Sequence, residues 1–163
     1  TQDSSSAASD VYKRQMIGLL FSITAFGYMS GNNLSRYMGS RLGLERTVFI
    51  GGMVSLAAVV MLLALYLAGL AAALVIAGCL YFFGVANGLV VANSIICAVR
   101  AAGPNSGAAT GLCGAMQMIG SAGFGSLIIA LGGDQNFLLA LGVVIFMSGM
   151  AALASWMGAR LPS

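Results

Sequence analysis

The chain has 163 residues, of which 60% are hydrophobic and 7% charged, with no His, and a mean hydropathy of +0.98. A soluble domain carries roughly 25% charged residues to wet its surface, so this composition excludes a soluble globular fold and predicts an all-α, polytopic membrane helix bundle whose outside faces lipid. The formal charge of +3 is spread along the chain without a basic patch, and no nucleic-acid partner is expected.

Residues 1–15 form a polar tail that ends Lys13-Arg14-Gln15 and runs directly into an apolar stretch at Met16. Apolar runs of about 20 residues, long enough to cross a bilayer, follow at residues 16–34, 47–68, 71–99, 108–131 and 137–157, predicting five transmembrane spans. They show no period-2 alternation, which makes them helices and not barrel strands. Each break has a chemical marker: Arg36, Arg41, Glu45 and Arg46 after the first, Ala68-Gly69-Leu70 after the second, a Gly-Pro-Asn turn at 103–105 after the third, and Gly132-Gly133-Asp134-Gln135-Asn136 after the fourth. Cys79, Cys97 and Cys113 lie within the apolar stretches with no CxxC spacing. They are expected to be small packing residues, and no metal or cofactor is expected.

Short cytoplasmic loops collect Lys and Arg. Arg36, Arg41, Arg46, Arg100 and Arg160 fall on one side of the five-span weave, while the links on the other side hold only Asp134. That orientation puts the arginines and the C-terminus in the cytoplasm and the start of the first span outside. Lys13 and Arg14 then sit on the wrong side. The segment from Ser5 to Gln15 resembles the translation of a sequencing adapter, so residues 1–15 are expected to be a non-native, disordered tail that packs against nothing, and residues 16–163 the native part. Met16 is expected to be an internal residue, and an odd number of helices beginning outside is what a larger transporter leaves when cut at its 5′ side.

Three stretches carry a family resemblance. Ile17-Gly18-Leu19-Leu20-Phe21 leads through Gly27-Tyr28-Met29-Ser30-Gly31 into an arginine-rich segment; Phe83-Gly84-Val85-Ala86-Asn87-Gly88 precedes Val90-Val91-Ala92-Asn93-Ser94; and a small-residue run from Ser106 to Ala115 leads to Met116-Gln117. Together they resemble helices eight, ten and eleven of a major facilitator superfamily transporter, most like the bicyclomycin-resistance (Bcr/CflA) branch of multidrug efflux proteins, with Ala92 where that branch often has Pro. The resemblance covers residues 16 to about 156. It implies a partial C-terminal domain, a multi-pass protein of the bacterial inner membrane, a missing N-terminal half as partner, a small-molecule substrate, and proton-coupled efflux by alternating access. Gly31, Arg36, Arg41, Gly43 and Arg46 resemble a degenerate copy of the superfamily's cytoplasmic loop motif, with Ser35 in place of its acidic residue.

The residues carry readings of their own. Gly31, Gly39 and Gly43 permit close helix approach and a tight turn, and the arginines either latch neighbouring helices through helix C-terminal carbonyls and anionic headgroups or only hold the loop in the cytoplasm. Polar side chains in lipid should face the bundle interior or a cavity. That selects Asn87, Asn93 and Gln117 as substrate-path candidates, the alternative being interhelical amide contacts; Asn32 and Asn33 are expected to cap the first helix. Phe21, Phe26, Tyr28, Tyr81, Phe82 and Phe83 either form an aromatic wall or pack against lipid. Gly103, Gly107 and Gly111 recur every fourth position, with Gly114, Gly120, Gly123 and Gly125 beyond, a spacing that predicts close helix packing or the flexibility of alternating access.

Without His, and with no acidic residue in a span, an intramembrane enzyme lacks a base or metal ligands, and no catalytic residue is expected. A small self-assembling, pore-forming or accessory membrane subunit remains the alternative to a transporter fragment. Proton coupling needs an ionisable group in the membrane, and this stretch of sequence supplies none.

Overall fold

The structure, a computed structural model, describes residues 2–70, 72–131 and 136–158, with the backbone alone for 2–10, 12 and 13. Among these residues every element is helical: α1 (Gln2–Leu42), α2 (Leu44–Leu67), α3 (Ala73–Ala102), α4 (Ser106–Ala130) and α5 (Phe137–Gly158), with a 3-10 turn at Gly103–Asn105 joining α3 to α4. Three segments are long and apolar enough to cross a membrane, namely Leu44–Leu67, Ala73–Ala130 and Phe137–Met157. The stretches expected as third and fourth spans fall within the single run Ala73–Ala130. The stretch expected as the first span lies in α1, where Ser22, Thr24, Ser30, Asn32 and Asn33 dilute the apolar run.

The helix ends follow from local chemistry. Gly43, alone between α1 and α2, has φ 88°, a left-handed value that any side chain would strain. The break expected across 36–46 therefore contracts to one residue, and Arg36, Arg41 and Arg46 sit on helix ends and not in a loop. Pro104 follows Gly103, itself at φ 53°, and cannot continue α3. Asn136 caps α5, its Oδ1 accepting from the N–H groups of Leu138 at 3.1 Å and Leu139 at 3.3 Å. With Ala at 92, α3 passes through that position unbroken. The segment expected to be a disordered tail is helical from Gln2 onward. It holds neither Gly nor Pro, so nothing stops α1 from extending N-terminally; Val11, Arg14 and Gln15 on it are exposed.

α1 and α3 run parallel and touch backbone to backbone. A methyl group added at Gly27 would collide with the Tyr81 carbonyl, at Gly31 with that of Val85, at Gly84 with that of Thr24 and at Gly88 with that of Tyr28. The partners advance together along both helices, which fixes the parallel sense. α2 is antiparallel to α3, with Gly51 against Leu89 and Val90 and Gly52 against Ala152 of α5. α5 is antiparallel to α2 in turn: Ser55 meets Ser148 with their Oγ atoms 3.4 Å apart, and Tyr66 meets Phe137 at 4.8 Å between ring centroids. Val59 and Leu62 of α2, Cys79 of α3 and Leu141 of α5 form the buried apolar cluster. α4 is the outlier, with no buried residue.

The glycines that bring helices together are thus not the α4 series picked out by spacing. Gly107, Gly111, Gly114, Gly120, Gly123 and Gly125 have open space where a Cβ would stand. Gly27 and Gly31, and Gly84 and Gly88, share the same four-residue spacing but face a neighbouring helix. Replacing Gly84 by Ala should cost roughly 1–3 kcal/mol, the range for forced overpacking, whereas Gly111→Ala should be neutral or slightly stabilising because Ala is the better helix former. Reversible unfolding in mixed micelles checks this pair, and equal effects at both positions would contradict the packing described.

Candidate functional site

The polar side chains of α1 and α3 meet along the α1–α3 seam. Tyr28, Asn32, Ser35 and Gly39 follow one another at intervals of three or four residues, so they share one face of α1, and all four line a cavity of about 570 Å³. α3 supplies Asn93, Ile95, Ile96 and Arg100 to its walls, and Arg36, Gly43 and Leu44 contribute from the α1–α2 junction. The cavity lies at the end of the bundle where α1 and α3 finish and α2 starts.

Asn93 is 1% exposed. Its Nδ2 donates to Ser35 Oγ at 2.8 Å and to the Leu89 carbonyl at 2.7 Å, so the amide ties α3 to α1 at the cavity floor. Ser35 is itself buried. Lower on the same seam Tyr81 donates its hydroxyl to Ser30 Oγ at 3.2 Å. In an apolar medium each such group needs a partner within the protein, and the lone hydroxyls of Ser22, Thr24 and Ser30 find theirs in the carbonyls four residues back. One atom is the exception. Asn32 Oδ1 is buried and accepts no hydrogen bond, alone among side-chain polar atoms of the described residues. Asn32 and Asn33 do not cap α1, which continues to Leu42.

The other expected site residues are dispersed. Asn87 donates to the Phe83 carbonyl at 3.0 Å and faces a second cavity of about 260 Å³, where Ser55, Phe124 and Ser148 come together from α2, α4 and α5. Gln117 is exposed on α4 and lines neither of these cavities. Gly31 packs on the Val85 backbone, and Arg41 lies over the Tyr37 ring, 4.3 Å from its centroid, a cation–π contact. Arg46 and Arg100 line a smaller neighbouring cavity of about 380 Å³ with Glu45 and Cys97. The four described arginines beyond residue 15 therefore all sit at or beside one end of the bundle; Asp134 and Arg160 lie outside the described residues. Of the aromatics, Phe21, Phe26 and Phe82 are exposed; Phe21 and Phe83 line one cavity of about 360 Å³ between α1 and α3, Phe83 also faces the Asn87 cavity, and Tyr81 meets Phe82 edge-on at 5.7 Å between ring centroids.

The sequence reading missed Asn32, Ser35 and Arg100 as parts of one site. The signal was the helical spacing of polar residues from Tyr28 to Gly39, which a count of apolar runs passes over. In comparisons with known proteins, no family model, curated protein or solved structure matches the chain.

The Ser35–Asn93 contact predicts a measurable coupling. In a double-mutant cycle with Ser35→Ala and Asn93→Ala, the interaction energy should be about 0.6 kcal/mol and at most about 1.7 kcal/mol, the range for hydrogen bonds between membrane helices. Additive effects of the two changes would separate the pair.

Proposed function

We propose that the chain is part of a secondary active transporter similar to the C-terminal half of a major facilitator superfamily protein, exporting small amphipathic molecules at the expense of the proton gradient. Gln117 carries the reading. It is an exposed amide on a helix within an apolar run otherwise fit to cross a membrane, and an uncharged polar group is costly against hydrocarbon. It calls for an aqueous path or a second protein surface, and the open small-residue face of α4 beside it leaves room for either. An amide on such a path can orient a substrate by hydrogen bonding without selecting one charge state. Asn87, facing the inner cavity between α3 and α5, is the second substrate-path residue; Asn93, tied to Ser35, lines the cavity at the arginine end.

Five crossings fit this reading. α3 starts beside the end of α2, and α5 starts there too, with Phe137 on Tyr66, while Arg100 near the end of α3 shares a cavity with Leu44. α4 therefore returns the chain across the bundle. As one straight helix the run Ala73–Ala130 would be about 87 Å long at 1.5 Å per residue, against a hydrocarbon core of about 30 Å. The excess of arginine at one end assigns that end to the cytoplasm, in keeping with a bacterial inner-membrane protein.

The alternative, a small self-assembling membrane subunit, is favoured by the same open face of α4, which a second copy can cover. Sequencing the source locus 5′ of the Met16 codon separates the two. The transporter reading expects about seven further helices there, completing two six-helix halves, and expression of that gene should give gradient-dependent efflux that Gln117→Leu impairs at unchanged membrane protein level. A reading frame that begins at Met16, together with gradient-driven movement of a cationic dye by residues 16–163 alone in proteoliposomes, would establish the alternative instead.

A further inference from the structure

We infer that the cavity where α2, α3, α4 and α5 meet binds an uncharged phenol of one aromatic ring. Ser55, Asn87 and Ser148 supply its polar groups, and Phe83, Phe124 and Met147 are among the apolar side chains around them. The site deepens the transport reading, on which only its part as a substrate subsite rests; binding is measured below without transport.

Size sets the first limit. The cavity holds about 260 Å³. That falls below the roughly 300–1,000 Å³ of sites for drug-sized ligands and above the roughly 150 Å³ that admits benzene, which leaves space for one substituted ring. Aromatic and thioether side chains suit the faces and edges of such a ring. No charged side chain among the described residues lines the cavity, and an ion would enter without a counter-charge, so the ligand is neutral.

Two kinds of polar group then select its substituent. Asn87 Nδ2 donates to the Phe83 carbonyl, which leaves Oδ1 to accept, and no donor meets it among the described residues. Of such unpartnered atoms only Asn32 Oδ1 is shut away from contact, so a ligand can reach the Asn87 oxygen. The serines differ from others in the helices as well. Ser22, Ser30, Ser121 and Ser155 donate to the carbonyl four residues back, but Ser55 and Ser148 meet only each other, with 3.4 Å between their Oγ atoms. That is longer than the roughly 2.5–3.0 Å of an ordinary O–H···O bond. One hydroxyl can donate across the gap, and the other keeps a free hydrogen. The cavity therefore presents an acceptor and a donor in an apolar surround. A phenolic hydroxyl meets both, donating to Asn87 Oδ1 and accepting from a serine; an unsubstituted ring meets neither, and a water molecule would leave the apolar wall unmatched.

The test is equilibrium dialysis of p-cresol and p-xylene, which share a shape and differ in the hydroxyl, against the full chain in nanodiscs, with empty nanodiscs as the baseline for partition into lipid. The chain should take up p-cresol saturably above that baseline and bind p-xylene about tenfold more weakly, as expected of one or two hydrogen bonds. Asn87→Leu, close in volume, should bring p-cresol down to the level of p-xylene while p-xylene itself still binds, a result that misfolding would not give. Ser55→Ala with Ser148→Ala should narrow the gap between the probes in the same direction. Asn33→Leu, the same change at an exposed amide outside the cavity, should alter neither. No saturable uptake, equal affinity of the unaltered chain for both probes, or a hydroxyl preference that survives Asn87→Leu would overturn the site. Failure of the efflux experiment would strike the transport role alone, since dialysis uses no gradient.

Discussion

The arrangement depends on one contact, the backbone-on-backbone approach of α1 to α3. Between membrane helices the hydrophobic effect offers little, because lipid tails are as apolar as the side chains they would replace, so association rests on close packing and interhelical hydrogen bonds. Gly27, Gly31, Gly84 and Gly88 leave no room for a methyl group against the facing carbonyls. At that separation Cα–H groups can also contact carbonyl oxygens, each a weak but recurrent attraction. The parallel register so fixed is what carries Ser35 to Asn93 and places Arg36 and Arg100 around one cavity.

The second organising rule is satisfaction of polar groups. Along the α1–α3 seam hydroxyls either bond back to their own helix or reach across, as Tyr81 does to Ser30 and Asn93 to Ser35. On the far side of α2 the single serine pair Ser55 and Ser148 does the same for α5. Against this background the buried Asn32 Oδ1 is left without a donor, and Gln117 is an exposed amide. Gln117 lies within an apolar run fit to cross a membrane and supports the transport-path reading.

Much of the helical framework was legible in the sequence. Composition gave the helical membrane class, and Gly43, Gly-Pro-Asn and Asn136 marked breaks that the structure keeps, because a positive φ, a missing N–H and a side-chain cap act locally. What sequence could not supply was which face of each helix meets another. Gly27 and Gly31 have the same spacing as Gly107 and Gly111, yet only the first pair is covered; spacing sets a stripe, and tertiary packing chooses its partner. Asn93 was legible as a polar residue that must be sheltered, but not its bond to Ser35, fifty-eight positions away. The arginine segment was legible as a charge cluster, while its helical state was not, since only Gly43 within it resists the helix.

The parallel α1–α3 register is tested most directly by disulfide trapping in membranes. With the 3 native cysteines replaced by Ala, the pair Ser35→Cys and Asn93→Cys should cross-link within one chain on mild oxidation, as should Ser55→Cys with Ser148→Cys across α2 and α5. The pair Thr24→Cys and Asn93→Cys should not, since Thr24 lies opposite Gly84, far along the seam from Asn93. Efficient cross-linking of positions 24 and 93, with none between 35 and 93, would mean that α1 and α3 run in opposite directions and would contradict the account at its base.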